Sequence, residues 1–167
     1  MAGALIVTAD LSSPDFARLE ALRRAHYPSE RNTVPAHLTM FQMLAPSALD
    51  EARRQLAHQA SGPPPRAMLA GLMDLGGGVA FRVVSDDLDL IRGELADHFH
   101  GLLSAQDAGG WRPHVTIQNK VRPREAHELL HELKREFQPR SLGIAGLSLH
   151  RYLQGPWETV ATYKFRG

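Results

Sequence analysis

Apolar positions along the chain follow two periods. Four stretches repeat every three to four residues, the spacing of one helix face. Phe16, Leu19 and Leu22 do so behind Ser12-Ser13-Pro14, where proline suits the first helical turn. Leu49, Ala52, Leu56 and Ala60 predict a helix over about 47–60. Leu88, Ile91, Leu95, Phe99 and Leu102 predict a third, opened by Asp86-Asp87 at the end where the helix dipole favours negative charge. Ala126, Leu129, Leu130, Leu133 and Phe137 predict a fourth over about 124–137. Seven stretches read as strands: 4–10, 36–44, 67–75, 79–84, 113–121, 142–152 and 157–165. Gly62-Pro63-Pro64-Pro65, Gly76-Gly77-Gly78 and Ala108-Gly109-Gly110 punctuate them as loops.

These elements recur at an offset of about 77 residues. Pro35-Ala36-His37-Leu38-Thr39-Met40 lies over Arg112-Pro113-His114-Val115-Thr116-Ile117, and Pro46 over Pro123. Gly71-Leu72 and Gly146-Leu147 open matching strands, and 4–26 resembles 79–100. The expected architecture is α+β: one domain over 1–167, made of two pseudo-symmetric lobes. Short turns between strands make each sheet mainly antiparallel, with helices on the outer faces and a cleft between the lobes.

The recurring strands carry the candidate chemistry. Residues i and i+2 of a strand share a face, so His37 emerges with Thr39 while Leu38 and Met40 point inward. His114 and Thr116 do the same against Val115 and Ile117. If the two sheets face each other, two imidazoles and two hydroxyls converge. Imidazoles with a pKa of about 6.5 can divide the roles of base and acid, and threonine hydroxyls can donate to phosphoryl oxygens. In-line displacement at phosphorus requires that division, with no metal and no cofactor. Nine His, six Thr and 43% hydrophobic residues produce one such tetrapeptide by chance about 0.06 times. Two at matching places in a repeat are far rarer.

His37-Leu38-Thr39-Met40 and His114-Val115-Thr116-Ile117 resemble the paired signatures of the 2H phosphoesterase superfamily, in particular its bacterial 2′-5′ RNA ligase-like (HXTX) group. The resemblance covers nearly the whole chain. It implies a bilobal fold with a catalytic cleft, and metal-independent cleavage of 2′,3′-cyclic phosphates to 2′-phosphates. It implies 2′-5′ ligation as related chemistry. His37 and His114 are then catalytic, and Thr39 and Thr116 contact phosphate. The partner is a nucleotide or short RNA with a cyclic phosphate end. Where the group often has an arginine two residues past the second motif, this chain has Gln118-Asn119-Lys120.

Four more residues are candidates for substrate contact. Phe41 follows Thr39 by two positions and is expected on its face, where an aromatic ring can stack on a base. Ser148, His150 and Tyr152 alternate against Leu147 and Leu149, which turns His150 and Tyr152 toward the cleft. Arg112 precedes His114 by two and adds charge at the cleft mouth. Trp111 and Trp157 read as structural residues at lobe edges, and His26, His58, His98 and His100 as helix-end residues.

His127-Glu128-Leu129-Leu130-His131 is a literal H-E-x-x-H, the zinc-peptidase helix motif. Its histidines lie roughly 100–140° from the apolar centre of their helix and Glu128 roughly 160°, on the solvated flank. We therefore expect no metal site there. Composition narrows the rest. Nineteen Lys+Arg against 18 Asp+Glu leave a formal charge of +1, which favours short phosphate ends over long RNA. No cysteine is present, which excludes a thiolate nucleophile and disulfides. Ala4-Leu5-Ile6-Val7 is too short for a leader or membrane span, and a cytoplasmic protein is expected. No feature points to a protein partner. The alternative from another functional class is a module that binds RNA or nucleotide ends without turnover.

Overall fold

The computed structural model describes residues 3–167, so the first two residues of the expected domain lie outside it. Chain order is β1 (Leu5–Leu11), α1 (Ser13–His26), β2 (Leu38–Leu44), α2 (Leu49–Ala60), β3 (Ala67–Asp74), β4 (Val79–Val84), α3 (Asp86–His98), α4 (Ala105–Ala108), β5 (His114–Gln118), α5 (Pro123–Glu136), β6 (Arg140–Leu142), β7 (Ile144–Tyr152) and β8 (Trp157–Lys164). The periodic stretches thus fold as the elements they predict, with local differences. The third helix stops at His98, before the last residues of its apolar pattern. Gly101, at φ 83°, turns the chain so that Leu102 still packs on the core. The expected strand 142–152 begins at 144, with the short β6 split from it at Gly143. There the start of α1 docks: Ser12 N–H donates to the Gly143 carbonyl, and Gly143 N–H donates to the Asp15 carboxylate. A side chain at 143 would collide with Ser12.

Two four-stranded sheets form, in the orders β2-β1-β7-β8 and β5-β4-β3-β6, every pairing antiparallel. Their membership is interleaved. The first sheet joins the two earliest strands to the two latest, and the second takes the strands between. α2 lies on β7 and β8, and α5 on β3 and β4. α1 leaves the first sheet and packs against β5 of the second, while α4 packs against β2 of the first. A single apolar cluster runs through both, from Leu5, Leu38 and Phe41 to Phe81, Val115 and Ile117.

β2 and β5 are the edge strands of their sheets, and each carries a bulge just past its threonine. Thr8 faces Thr39 and Val7 faces Phe41, so one step along β1 spans two along β2. Ala80 faces Thr116 and Val79 faces Gln118 in the same manner. A bulge resets the alternation of a strand and re-aims the side chains beyond it. Phe41 and Gln118, 77 positions apart, both turn inward as a result. This corrects the expectation for Phe41. It is 0% exposed and sits edge-on to Phe99, with ring centroids 5.4 Å apart, as a core residue and not a stacking platform. Phe41→Ala should therefore lower unfolding free energy by about 3–5 kcal/mol in urea titrations. A loss under about 1 kcal/mol would mark an exposed ring instead.

Candidate functional site

A cavity of about 700 Å³ opens between the sheets where β2 and β5 meet. His37, Thr39, Arg112, His114, Thr116 and Tyr152 line it together. Leu38, Met40, Val115 and Ile117 are buried behind them, the alternation that pins each His and Thr to the open face.

The two imidazoles are held alike. His37 Nδ1–H donates to the Pro35 carbonyl at 2.8 Å, and His114 Nδ1–H donates to the Arg112 carbonyl at 2.7 Å. A carbonyl only accepts, so Nδ1 carries the proton in both rings. In the neutral form each Nε2 keeps its lone pair. Surroundings distinguish the two. Burial pushes the His37 pKa down to about 4, opposed by its bond to Pro35 and reinforced by the charges of Arg23, His150 and His114. Trp157 stands edge-on to His37, with ring centroids 4.8 Å apart and planes at 65°. His37 is therefore a neutral imidazole at neutral pH.

The backbone of both motif strands is gripped by buried and half-buried side chains. Trp111 Nε1–H donates to the Thr39 carbonyl at 3.0 Å, and Arg92 Nε to the Met40 carbonyl at 3.1 Å. The Asp107 carboxylate, 4% exposed, accepts the N–H groups of Gln42 and Met43, each at 2.9 Å. Across the cavity, Arg23 Nη1 donates to the Thr116 carbonyl at 2.9 Å, while its Nε donates to Asn32. Arg23 is 4% exposed and Arg92 9%; burial lowers the pKa of both, yet a guanidinium remains charged.

The model of the 2'-5' RNA ligase superfamily matches residues 11–156. The chain belongs to that superfamily. Among solved structures, it is similar to TT0787 of Thermus thermophilus, at 19% identity over 98% of both chains, with a TM-score of 0.65. It is similar to E. coli LigT complexed with 3'-AMP at 14% identity over all of both chains, with a TM-score of 0.61. It is likewise similar to LigT complexed with phosphate, at 16% identity over 99% of both chains and a TM-score of 0.62. These likenesses show the bilobal fold of the superfamily. No curated protein matches at the level of sequence.

Not every candidate residue reaches the cavity between the sheets. His150 lines a neighbouring hollow of about 290 Å³, with Thr8, Asp10 and Thr159, on the other side of His37 and Trp157. Its ring nitrogens share hydrogen bonds with Thr8 Oγ1 at 2.9 Å and Thr159 Oγ1 at 3.0 Å, and burial lowers its pKa. His127, Glu128 and His131 are exposed on α5. Among the described residues no third ligand joins them. Both tryptophans, expected at lobe edges, line the cavity. Arg23 and Arg92 escaped notice in helices, yet each follows a buried leucine by four residues, Leu19 and Leu88. A cation on an apolar face was the available signal. No helix among the described residues is long and apolar enough to cross a membrane.

The depressed His37 and His150 values set a pH dependence of folding. As pH falls from about 6.5, the unfolded chain binds protons that the folded imidazoles refuse. Stability is full above that value and declines until about pH 4, where folded His37 also protonates. Thermal unfolding should show Tm falling through this window, with a shallower slope in His37→Asn. An unchanged slope in that variant would contradict the burial of His37.

Proposed function

We propose that the protein is a metal-independent phosphodiesterase that hydrolyses 2′,3′-cyclic phosphate ends of nucleotides or short RNA. The supporting observation is the arrangement of His37, Thr39, His114 and Thr116 around one cavity, with both Nδ1 atoms tied to carbonyls and both Nε2 atoms left for chemistry. LigT, similar in fold, has been crystallised with 3'-AMP, ATP and NADP+, and the cavity here has the volume of a small-ligand site.

His37 serves as the base, because burial keeps it neutral and able to accept a proton. Its Nε2 takes a proton from water as the water oxygen attacks phosphorus in line with the bond to O3′. His114 Nε2–H delivers a proton to O3′ as that bond breaks, leaving a 2′-phosphate and a 3′-hydroxyl. The hydroxyls of Thr39 and Thr116 donate to the nonbridging oxygens, where negative charge builds. Exchange with solvent then returns both rings to their starting protonation. A ribose 5′-hydroxyl in place of water makes a 2′-5′ linkage by the same path. Trp157 shields His37 from water, and Tyr152 and Arg112 line the cavity where the nucleoside binds. The absence of cysteine accords with a cytoplasmic location.

A chelator-treated screen of 2′,3′-cyclic nucleotides and short cyclic-phosphate RNAs tests the reading directly. Turnover should persist without metal and fall by about 10²–10⁴-fold in His37→Ala and in His114→Ala. Near-normal activity in both variants excludes the mechanism. Binding of a 2′-phosphonucleotide with no turnover of any cyclic form would identify a binding module. The assignment of His37 as base predicts an acid limb of kcat/KM near pH 4. A limb centred near pH 6.5 would remove that assignment.

A further inference from the structure

Arg92 is a buried cation with no direct ion pair among the described residues; the nearby Asp107 carboxylate, which lines the same cavity, acts on it only through space. It rises from α3, and its guanidinium lies 4.2 Å from the Phe41 ring centroid and 5.8 Å from that of Trp111. Nε and Nη2 are taken by the Met40 and Asp107 carbonyls. Among the described residues no carboxylate lies within ion-pair distance of it. The carboxylate of Asp107 is committed elsewhere, to the N–H groups of Gln42 and Met43. Nη1 has no partner among the described residues, and it is not one of the fully buried unpartnered atoms. Nη1 thus keeps some exposure, and Arg92 lines the cavity.

A buried cation whose only neighbouring carboxylate is engaged by backbone N–H groups is incompletely compensated, and a guanidinium N–H left without a partner offers a place for an anion. That place is offset from the paired histidines. Arg92 grips β2 at Met40, three residues past His37, which is about 10 Å along a strand rising ~3.3 Å per residue. Arg112 adds a second guanidinium to the cavity lining from an exposed side chain that makes no hydrogen bond of its own among the described residues. Gly110 lines the same wall, with nothing within 4 Å of where a side chain would begin.

We propose that Arg92 and Arg112 form a second anion subsite, which takes a phosphate one nucleotide away from the reacting phosphate. It rests on the cyclic-phosphate reading and sharpens its substrate class. The preferred substrate is a cyclic-phosphate end that carries another phosphate, either a terminal 5′-phosphate or an internucleotide one. Bare nucleoside 2′,3′-cyclic phosphates leave the subsite empty.

Calorimetric titration with product analogues tests this without turnover. The ligands are adenosine 2′-monophosphate, adenosine 2′,5′-bisphosphate and the dinucleotide ApA bearing a 2′-terminal phosphate. A doubly phosphorylated ligand should bind wild-type protein at least about tenfold more tightly than the monophosphate, the size of one or two charge-assisted hydrogen bonds. Which of the two gains identifies the phosphate as terminal or internucleotide. Arg112→Ala and Arg92→Gln should each shrink the margin to about threefold or less. Circular dichroism checks the fold of Arg92→Gln; Arg112→Ala decides alone if that variant unfolds. Equal affinity of all three ligands for wild type, or a margin untouched by both substitutions, overturns the subsite. Failure of the cyclic-phosphate reading is seen separately, as no turnover of any cyclic substrate by the wild-type protein.

Discussion

β2 and β5 each end a sheet, so each presents backbone N–H and C=O groups that no neighbouring strand satisfies. Buried without partners, each group costs about 1–3 kcal/mol. The fold meets this demand with side chains from outside the sheet concerned. Trp111, Arg92 and Asp107 reach β2 from the elements that connect to β5, while Arg23 reaches β5 from the helix after β1. The interleaved topology makes this possible, because it places α1 against the second sheet and α4 against the first. Fixing the strand edges also fixes the relation between the two lobes.

The candidate site inherits its geometry from that arrangement. Trp111 grips Thr39 and stands three residues before His114, so one indole links the two His-x-Thr segments. Arg23 grips the backbone of Thr116 and contributes to the field that lowers His37. Cations placed for structural reasons therefore set the electrostatics of the cavity. Neither buried arginine makes a direct ion pair among the described residues; Arg92 lines the cavity beside Asp107, while Arg23 lies behind Thr116. The near-zero charge of the whole chain does not reveal where these buried cations lie.

Much of this was legible beforehand, for identifiable reasons. The helices and strands follow apolar periodicity, a local property that survives in any packing. His37, Thr39, His114 and Thr116 were legible because period two assigns residues to faces and the repeat marks which faces correspond. Phe41 shows where that logic stops. The same alternation places it beside Thr39, but the bulge inserts an extra residue against β1 and turns it into the core. A bulge arises from pairing with another strand, and nothing in a heptapeptide announces it. His150 fails differently: its alternation is right, yet Trp157 stands between it and the main cavity.

Sequence alone determined the local order of elements, the antiparallel habit of strands joined by short turns, and the identity of two matched His-x-Thr segments. Each depends on residues close in the chain, where backbone preference and side-chain period act directly. Tertiary structure alone decided that the two sheets exchange strands, that both motif strands are edges, and that buried arginines, Asp107 and the half-buried Trp111 complete them. It also decided that His37 and His114, identical in local geometry, sit in different surroundings. Those outcomes depend on contacts between residues far apart in the chain, 93 positions for Arg23 and Thr116 and 146 for Leu5 and Arg151 in the β1–β7 pairing, and on the burial that such contacts create. Burial is a property of the packed chain, and with it come the shifted imidazole and the unpaired cation at the cavity wall.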